Sequence, residues 1–320
     1  MSRGRKLAKA AHVEDCTLGT ALGDFYQHNE VKGLAKDTQK SYKEYVGGFV
    51  QWFGSERYLS EITEQTLEHY ILKKKNDGIK MVSVATNMVH IRRFLRFCES
   101  RGYAEPIPVL IPKYEAELKE TYSDEELEKL LKKPATRNWV EYRSWVMVNY
   151  FFSTGQRLST VLNIKVADLD LRNARVRLTW NKDKQQKYMP LSTALVNILS
   201  EYISRSQLQD EDYLFPEYEG KKFQRRSAEK AIADYNHSRG VDKTSVHLFR
   251  HAFAKKYIQN GGHPVKLQKL MNHKTIEQTM KYVNLYSTDF GDDLDLFNPL
   301  DNFAKKGYTP MKRTVVDLSK

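Results

Sequence analysis

Between Val246 and Asn284 the chain reads VHLFRHAFAKKYIQNGGHPVKLQKLMNHKTIEQTMKYVN. This stretch gathers four of the nine histidines, an arginine between two of them, and a tyrosine nine residues after the last. Imidazoles exchange protons near neutral pH, a guanidinium fits the oxygens of a phosphate, and a phenol is a nucleophile once its proton is removed. Together these residue types make part of a site that attacks a phosphodiester, and the rest must come from upstream. Taken singly they say little: the chain has 19 tyrosines, and a lone histidine is more often a satisfied structural group. A metal reading competes, because His247 and His251 have the i, i+4 spacing of a zinc pair. The general-base position of that motif is occupied by Leu248, and Arg250 would repel a dication. No CxxC or carboxylate cluster adds ligands. No metal is expected.

The elements that must hold these groups follow from periodicity and punctuation. Val246 to Gln259 reads as a helix closed by Gly261-Gly262, with His247 and Arg250 on one face. Asn272 stands before His273 at a helix-to-turn joint, where a residue tolerant of left-handed backbone is expected. From Thr275 the pattern is helical again, carrying Tyr282 and, one turn later, Tyr286. Upstream, an apolar helix from about Trp139 to Phe152 runs into Ser153-Thr-Gly-Gln-Arg157, and a short helix with Leu158, Val161 and Leu162 follows. Arg157 therefore sits at a corner between helices, where a side chain can be aimed from fixed backbone. Next comes an antiparallel hairpin. Val176, Leu178 and Trp180 alternate with Arg175, Arg177 and Thr179, the turn is Asn181-Lys-Asp-Lys184, and the return strand runs to Met189-Pro-Leu191. A helix with Leu195, Ile198, Leu199 and Tyr202, the segment Tyr213-Leu-Phe-Pro216, the basic run Lys221 to Arg226, and a helix through Ile232 and Tyr235 complete this half.

The N-terminal part reads as a small helical unit. Its first helix carries Leu18, Leu22 and Phe25, and the second starts near Asp37 or Thr38 as N-cap and ends at Gly54. The third begins at Thr63 and stops at Asn76-Asp77-Gly78. The fourth places Val84, Met88, Ile91, Leu95 and Cys98 on one stripe and closes at Gly102. Lys73, Lys74 and Lys75 end the third helix, and Arg92, Arg93 and Arg96 stand on the outer side of the fourth. Either cluster alone fits a solvated face; two in one small bundle point to a phosphate-facing surface. A Pro-rich stretch without periodicity then reads as a linker, and Ser123-Asp-Glu-Glu126 is a capping box that opens the second domain.

With 320 residues, a net charge of +12 and an ordinary apolar fraction, the chain has room for two globular domains and suits a polyanionic partner. Two cysteines, Cys16 and Cys98, imply no disulfide framework and fit a reducing compartment. No apolar run reaches the roughly 20 residues of a membrane span, and the basic start MSRGRKLAKAAH lacks the apolar core of a signal peptide.

In combination and order, Arg157, Lys182, His247-x-x-Arg250, His273 and Tyr282 resemble the tyrosine recombinase (phage integrase, Xer-like) family. TGQRLSTVLNI is similar to its first motif, HLFRH to its second and LMNHKTIEQTMKY to its third, while AKDTQKSYKEYVGGFVQWF resembles the start of its core-binding domain. Counting back from Pro190 puts Lys182 at the position of the family's catalytic lysine, with Lys184 next to be considered. The resemblance implies a mainly α fold with a small antiparallel β-sheet: an N-terminal helical core-binding (SAM-like) domain and a C-terminal α+β catalytic domain. The boundaries expected are a basic tail 1–16, a core-binding domain 17–104, a linker 105–121, a catalytic domain 122–288 and a tail 289–320.

It also implies site-specific cutting and rejoining of DNA through a 3′-phosphotyrosyl intermediate at Tyr282, in a cytoplasmic, nucleoid-associated enzyme of the mobile-element or Xer type. Arg157 and Arg250 would hold the non-bridging oxygens, His273 would hydrogen-bond the phosphate, His247 is the candidate base and Lys182 the general acid. His251 is left with a structural role. No cofactor, ATP or metal is called for. The expected partners are a double-stranded recombination site and a homotetramer on two duplexes, with room for an accessory directionality factor; for the tail carrying Leu294, Leu296 and Phe297 two readings stay open, docking on a neighbouring subunit by tail exchange or a disordered end. Lys73, Lys74, Lys75, Arg92, Arg93, Arg96, Arg175, Arg177, Lys184, Arg225 and Arg226 are the expected DNA contacts. Two departures stand out: Thr160 where the family usually has an acid, and Asn272 where glycine is usual. The rival readings are a DNA-binding protein of the same fold without chemistry, disfavoured by the intact catalytic set, and a type IB topoisomerase, disfavoured by the integrase-like N-terminal part.

Overall fold

A computed structural model describes residues 16–114, 120–178 and 187–286. Lys182, Lys184, the hairpin turn and the tail beyond Tyr286 lie outside the described residues. The chain divides into two compact units, Met1–Leu118 and Lys119–Lys320.

The first unit is helical: α1 (Leu18–Val31), α2 (Lys36–Phe53), α3 (Glu64–Asn76) and α4 (Met81–Arg101). Thr17 caps α1 by accepting from the Thr20 amide, Thr63 forms a capping box with Thr66, and α4 ends on Gly102 in the left-handed region. The start of α2 differs from expectation. Its N-cap is Ala35, and Asp37 lies in the first turn, where a carboxylate still meets the positive end of the helix. Phe25 lies at the centre of the core, edge-on to Tyr42 and Phe94, with Val46, Phe49, Met88 and Ile91 buried around it. Ile107, Val109 and Ile111 pack on this same core, so the first half of the Pro-rich stretch is anchored to the first unit rather than spanning freely.

In the second unit, α5 (Asp124–Leu131) starts at the Ser123–Glu126 capping box. Helix α6 (Trp139–Thr154) is buried over most of its circumference and packs against α5, α8 (Thr193–Ser206), α9 (Arg225–Ser238) and α10 (Val246–Gln259). A short α7 (Leu158–Val161) follows α6. The sheet is antiparallel in the order β1 (Leu169–Asp170), β2 (Arg175–Leu178), β3 (Lys187–Pro190), with Val176 opposite Met189. Val176 and Leu178 face the core, as their alternation with arginines requires. Strand β1 is two residues long, too short to leave a period in the sequence.

Helices α11 (Pro264–Met271) and α12 (Glu277–Tyr286) complete the fold. They pack with α10 around a small separate core of Ala254, Ile258, Leu267 and Met271, on which Phe253, Tyr257, Tyr282 and Val283 rest. That core fixes where Tyr282 stands relative to α10.

Candidate active site

The corner between α6 and α7 is shaped by Gly155, the C-cap of α6, whose φ of 60° lies in the left-handed region. Gln156 follows, buried, and its amide donates to the Leu270 carbonyl at 2.9 Å, tying the corner to α11. Arg157 is then the N-cap of α7, half-buried and extended in backbone. Its neighbour in the motif, Thr160, is buried; a hydroxyl stands where the resemblance implies an acid.

Arg250 is 7% exposed on α10 and is held at two points. Nη1 donates to the Gly155 carbonyl at 2.6 Å and Nη2 to the Met271 carbonyl at 2.7 Å. Both acceptors terminate helices, α6 and α11, where carbonyls lack partners within the helix and the dipole is negative. Burial, reinforced by Arg157, lowers the Arg250 pKa to about 10, which leaves it charged at neutral pH. Of five guanidinium N–H groups two are so used, and three remain for a ligand.

Asn272 adopts φ 49°, ψ 53° as the C-cap of α11, the left-handed conformation expected of it, and accepts a hydrogen bond from Lys187 Nζ at 2.9 Å. This turn delivers His273, whose Nδ1 meets the buried Thr279 hydroxyl at 2.8 Å. Burial first, then the charges of Arg250 and Arg157, lower the His273 pKa to about 4, so the imidazole is neutral at pH 7. If the Thr279 hydroxyl donates to Nδ1, the proton of the neutral ring sits on Nε2, where it can be given to an oxyanion.

Tyr282 lies between two imidazoles. The His273 ring is parallel to it, with 6.3 Å between centroids and 6° between planes. On another side its hydroxyl is 2.8 Å from His251 Nδ1. The structure departs from the sequence reading here: His251, set aside as structural, is the imidazole bonded to the phenol. His247, one turn earlier on α10, is exposed and lines a cavity of about 330 Å³ with Gln156, Glu229 and Lys230. Spacing could not separate the two, because residues four apart share a helix face; the crossing of α10 with α12 decides which one reaches the phenol.

The structure thus brings Arg157, Arg250, His273 and Tyr282 into one locality, with His251 added. Beside Arg157 a cavity of about 600 Å³ is lined also by Lys187, Lys266, Lys269, Tyr257 and Asn272. Lys187 was not singled out by sequence, since one lysine on a strand carries no pattern.

Of the expected DNA contacts, Lys73 pairs with Asp77, and Lys74 lies over the Tyr70 ring. Arg92, Arg93 and Arg96 line a cavity of about 330 Å³ with His28 and Lys32 in the first unit. Arg175 pairs with Asp170 and Arg177 with Asp168, which offsets the charge of that strand face. Arg225 pairs with Glu229, and Arg226 is exposed in the first turn of α9. Among the described residues no group of three or more His, Cys, Asp or Glu side chains could hold a metal, and no helix is long and apolar enough to cross a membrane.

Comparison with known proteins gives the same frame. Residues 120–288 match the sequence pattern of the Phage integrase family. The chain is 26% identical over 296 residues to tyrosine recombinase XerD of Halalkalibacterium halodurans, covering 88% of this chain and 99% of that protein. Against tyrosine recombinase XerD of Lacticaseibacillus casei it is 27% identical, covering 82% and 93%. In fold it resembles the Tn1549 transposon integrase in complex with transposon right end DNA, with TM-score 0.71, 14% identity and coverage of 91% and 99%. A lambda integrase tetramer bound to a Holliday junction gives TM-score 0.68 at 13% identity, covering 87% of this chain and 80% of that one.

Proposed function

The chain belongs to the phage integrase family and is a tyrosine-type site-specific DNA recombinase; on that premise we propose that Tyr282 is its nucleophile and that Arg157, Arg250 and His273 bind the scissile phosphate. The reading is carried by the placement of the Tyr282 phenol between two imidazoles and beside a buried arginine tethered by backbone.

The phosphodiester has one negative charge and gains a second as the phenolic oxygen adds to phosphorus. Arg250 and Arg157 meet that charge with fixed guanidinium donors, which need no reorganisation as it develops. His273 donates from Nε2 to a non-bridging oxygen. Lys182, at the hairpin turn, protonates the departing 5′-oxygen. The new 3′-phosphotyrosyl bond keeps the energy of the one it replaces, so a free 5′-hydroxyl can reverse the step without ATP or metal.

The protein's partner is a double-stranded recombination site in the cytoplasm, on which four copies join two duplexes, their tails after position 288 exchanged between neighbours. The core-binding domain, 17–104, and the catalytic domain, 122–288, contact the DNA from their basic faces. Lys73, Lys74, Lys75, Arg92, Arg93 and Arg96 serve on the first, and Arg225, Arg226 and Lys184 on the second.

The test is a half-site suicide substrate whose cleaved end diffuses away. Wild-type protein accumulates a covalent adduct, and Tyr282→Phe binds the DNA with unchanged affinity and accumulates none. Persistence of the adduct in that variant defeats the assignment, and trapping at Tyr286 would shift it by one helical turn.

A further inference from the structure

We infer that His251 is a catalytic residue, the acceptor of the Tyr282 phenolic proton during strand cleavage and its donor during rejoining. The inference rests on Tyr282 being the nucleophile and adds what that assignment leaves open, the destination of the proton.

Three observations carry it. His251 Nδ1 lies 2.8 Å from the Tyr282 hydroxyl, within the reach a general base needs before any substrate arrives. The other imidazole beside the phenol, His273, has its Nδ1 engaged by the buried Thr279 hydroxyl and lies parallel to the tyrosine ring at 6.3 Å. That leaves Nε2 of His273 for the phosphate. Third, His251 follows Arg250 directly on α10, and Arg250 is fixed by carbonyls from two other helices. The backbone that presents His251 is thereby locked to the backbone that presents the phosphate-binding charge.

The step balances as follows. The step starts from the His251 tautomer that has its proton on Nε2 and a lone pair on Nδ1, facing the phenol. The Oη–H bond of Tyr282 breaks and its proton passes to Nδ1 as Oη forms the bond to phosphorus. The bond from phosphorus to the 5′-oxygen breaks, and that oxygen takes a proton from the general acid. On rejoining, the imidazolium returns its proton to the leaving phenolate. The titratable and charged groups around His251 are His247 and Lys255 one turn away on α10, its neighbour Arg250, Arg157 from the α6–α7 corner, His273 from the turn after α11, and Tyr282 on α12. The negative charge that the phosphate gains in the transition state attracts the imidazolium that the transfer forms.

The test uses the full-length protein and a suicide half-site carrying a 5′-bridging phosphorothiolate, whose sulfur leaves without a general acid. Single-turnover adduct formation is followed against pH for wild type, His251→Ala, His251→Asn, His247→Ala and Tyr282→Phe, with binding and melting measured for each. Asparagine places an acceptor oxygen near the position of Nδ1 but cannot take the proton. We expect both His251 variants to bind DNA and melt as wild type does, yet to form adduct about 10²-fold or more slowly at neutral pH. Wild type loses rate on the acid side as an imidazole protonates. The His251 variants lose that limb and gain about tenfold per pH unit as tyrosinate becomes the attacking species. A wild-type rate in His251→Ala or His251→Asn overturns the inference, as does disappearance of the acid limb in His247→Ala but not in the His251 variants. Tyr282→Phe separates the two levels. If it abolishes the adduct while His251→Ala does not, only the proton acceptor is wrong; if it forms the adduct, the nucleophile is wrong and the inference falls with it.

Discussion

Replacing Gly155 by alanine tests how the site is held together, without touching any group that meets the phosphate. Gly155 has φ 60°, and a Cβ built on it would lie 2.3 Å from Cδ1 and 3.0 Å from Cε1 of Phe253 on α10. Two costs follow. Left-handed backbone costs an L-residue about 1–2 kcal/mol. Moving the Phe253 ring out of its place costs about 1–3 kcal/mol, the usual range for overpacking. The sum, about 2–5 kcal/mol, lowers the melting temperature of a unit of this size by on the order of 10 °C.

The same substitution pushes α10 away from the carbonyl that holds Arg250 Nη1 at 2.6 Å, so Arg250 shifts relative to Tyr282. Displacements near 1 Å in a reacting constellation cost about 10²-fold in rate. Thermal unfolding and suicide-substrate cleavage measure the two effects separately. Gly155→Ala with Phe253→Leu identifies the cause, because a smaller side chain relieves the clash but not the backbone strain. The double variant should recover about 1 kcal/mol or more relative to additivity. A Gly155→Ala protein that melts within about 2 °C of wild type and cleaves at the wild-type rate would refute the reasoning.

Arg250→Lys keeps the charge but cannot bridge the Gly155 and Met271 carbonyls while also facing a phosphate. Losing a charge-assisted transition-state hydrogen bond of about 1.5–3 kcal/mol slows adduct formation about 10–150-fold, and the orphaned carbonyls lower the melting temperature. A rate within about threefold of wild type rules this out. His273 should titrate by NMR near its lowered value of about 4 in the free protein. Because the folded pKa lies below the ordinary 6.5, folding favours the neutral ring. Its contribution to stability is full above pH 6.5 and is lost as pH falls from there through about 4. A phosphate oxyanion in the site should move the midpoint upward, and a free-protein midpoint at or above 6.5 contradicts the burial argument. Asn272→Ala forces left-handed backbone on alanine at about 1 kcal/mol and removes the Lys187 partner, whereas Asn272→Gly removes only the partner. The glycine variant should melt higher, and equal losses would show that the backbone is not what matters.

Much of the catalytic unit was legible because its groups sit where local rules speak. Arg157 follows a helix-stopping Thr-Gly-Gln, Asn272 tolerates the left-handed turn before His273, and Ser123 with Glu126 announces α5. Contacts between distant elements were not legible. Nothing local to Gly155 or Met271 says that their carbonyls receive Arg250. Nor does the spacing of His247 and His251 say which imidazole meets Tyr282, since that depends on how α12 crosses α10 above the small core of Ala254, Ile258, Leu267 and Met271. The same limit applies to Arg175 and Arg177: alternation placed them on one strand face, but their pairing with Asp170 and Asp168 depends on the chain returning to the sheet through β1.

The manner in which Arg250 is held bears on the charge the site presents. A buried guanidinium must be hydrogen-bonded, and the commonest partner is a carboxylate, which would cancel its charge and compete with phosphate for its donors. Here the two acceptors are neutral backbone carbonyls at the ends of α6 and α11. They offer the partial negative charge of helix termini, enough to stabilise the cation without neutralising it. Thr160 follows the same rule: at a position where an acid is usual in the family, a neutral hydroxyl sits buried three residues from Arg157. His273, kept neutral by its burial first and then by the same arginines, adds a donor without further repulsion. Among the described residues Arg250 thus keeps its positive charge, supported by dipoles, available to a phosphate. Placing a carboxylate back at Thr160 should therefore weaken phosphate binding by Arg157 and Arg250 and slow cleavage, with the loss growing as ionic strength falls and screening weakens. A Thr160→Asp protein that cleaves as fast as Thr160→Asn at low salt would show instead that the net charge of the pocket is not what the carbonyl anchoring preserves.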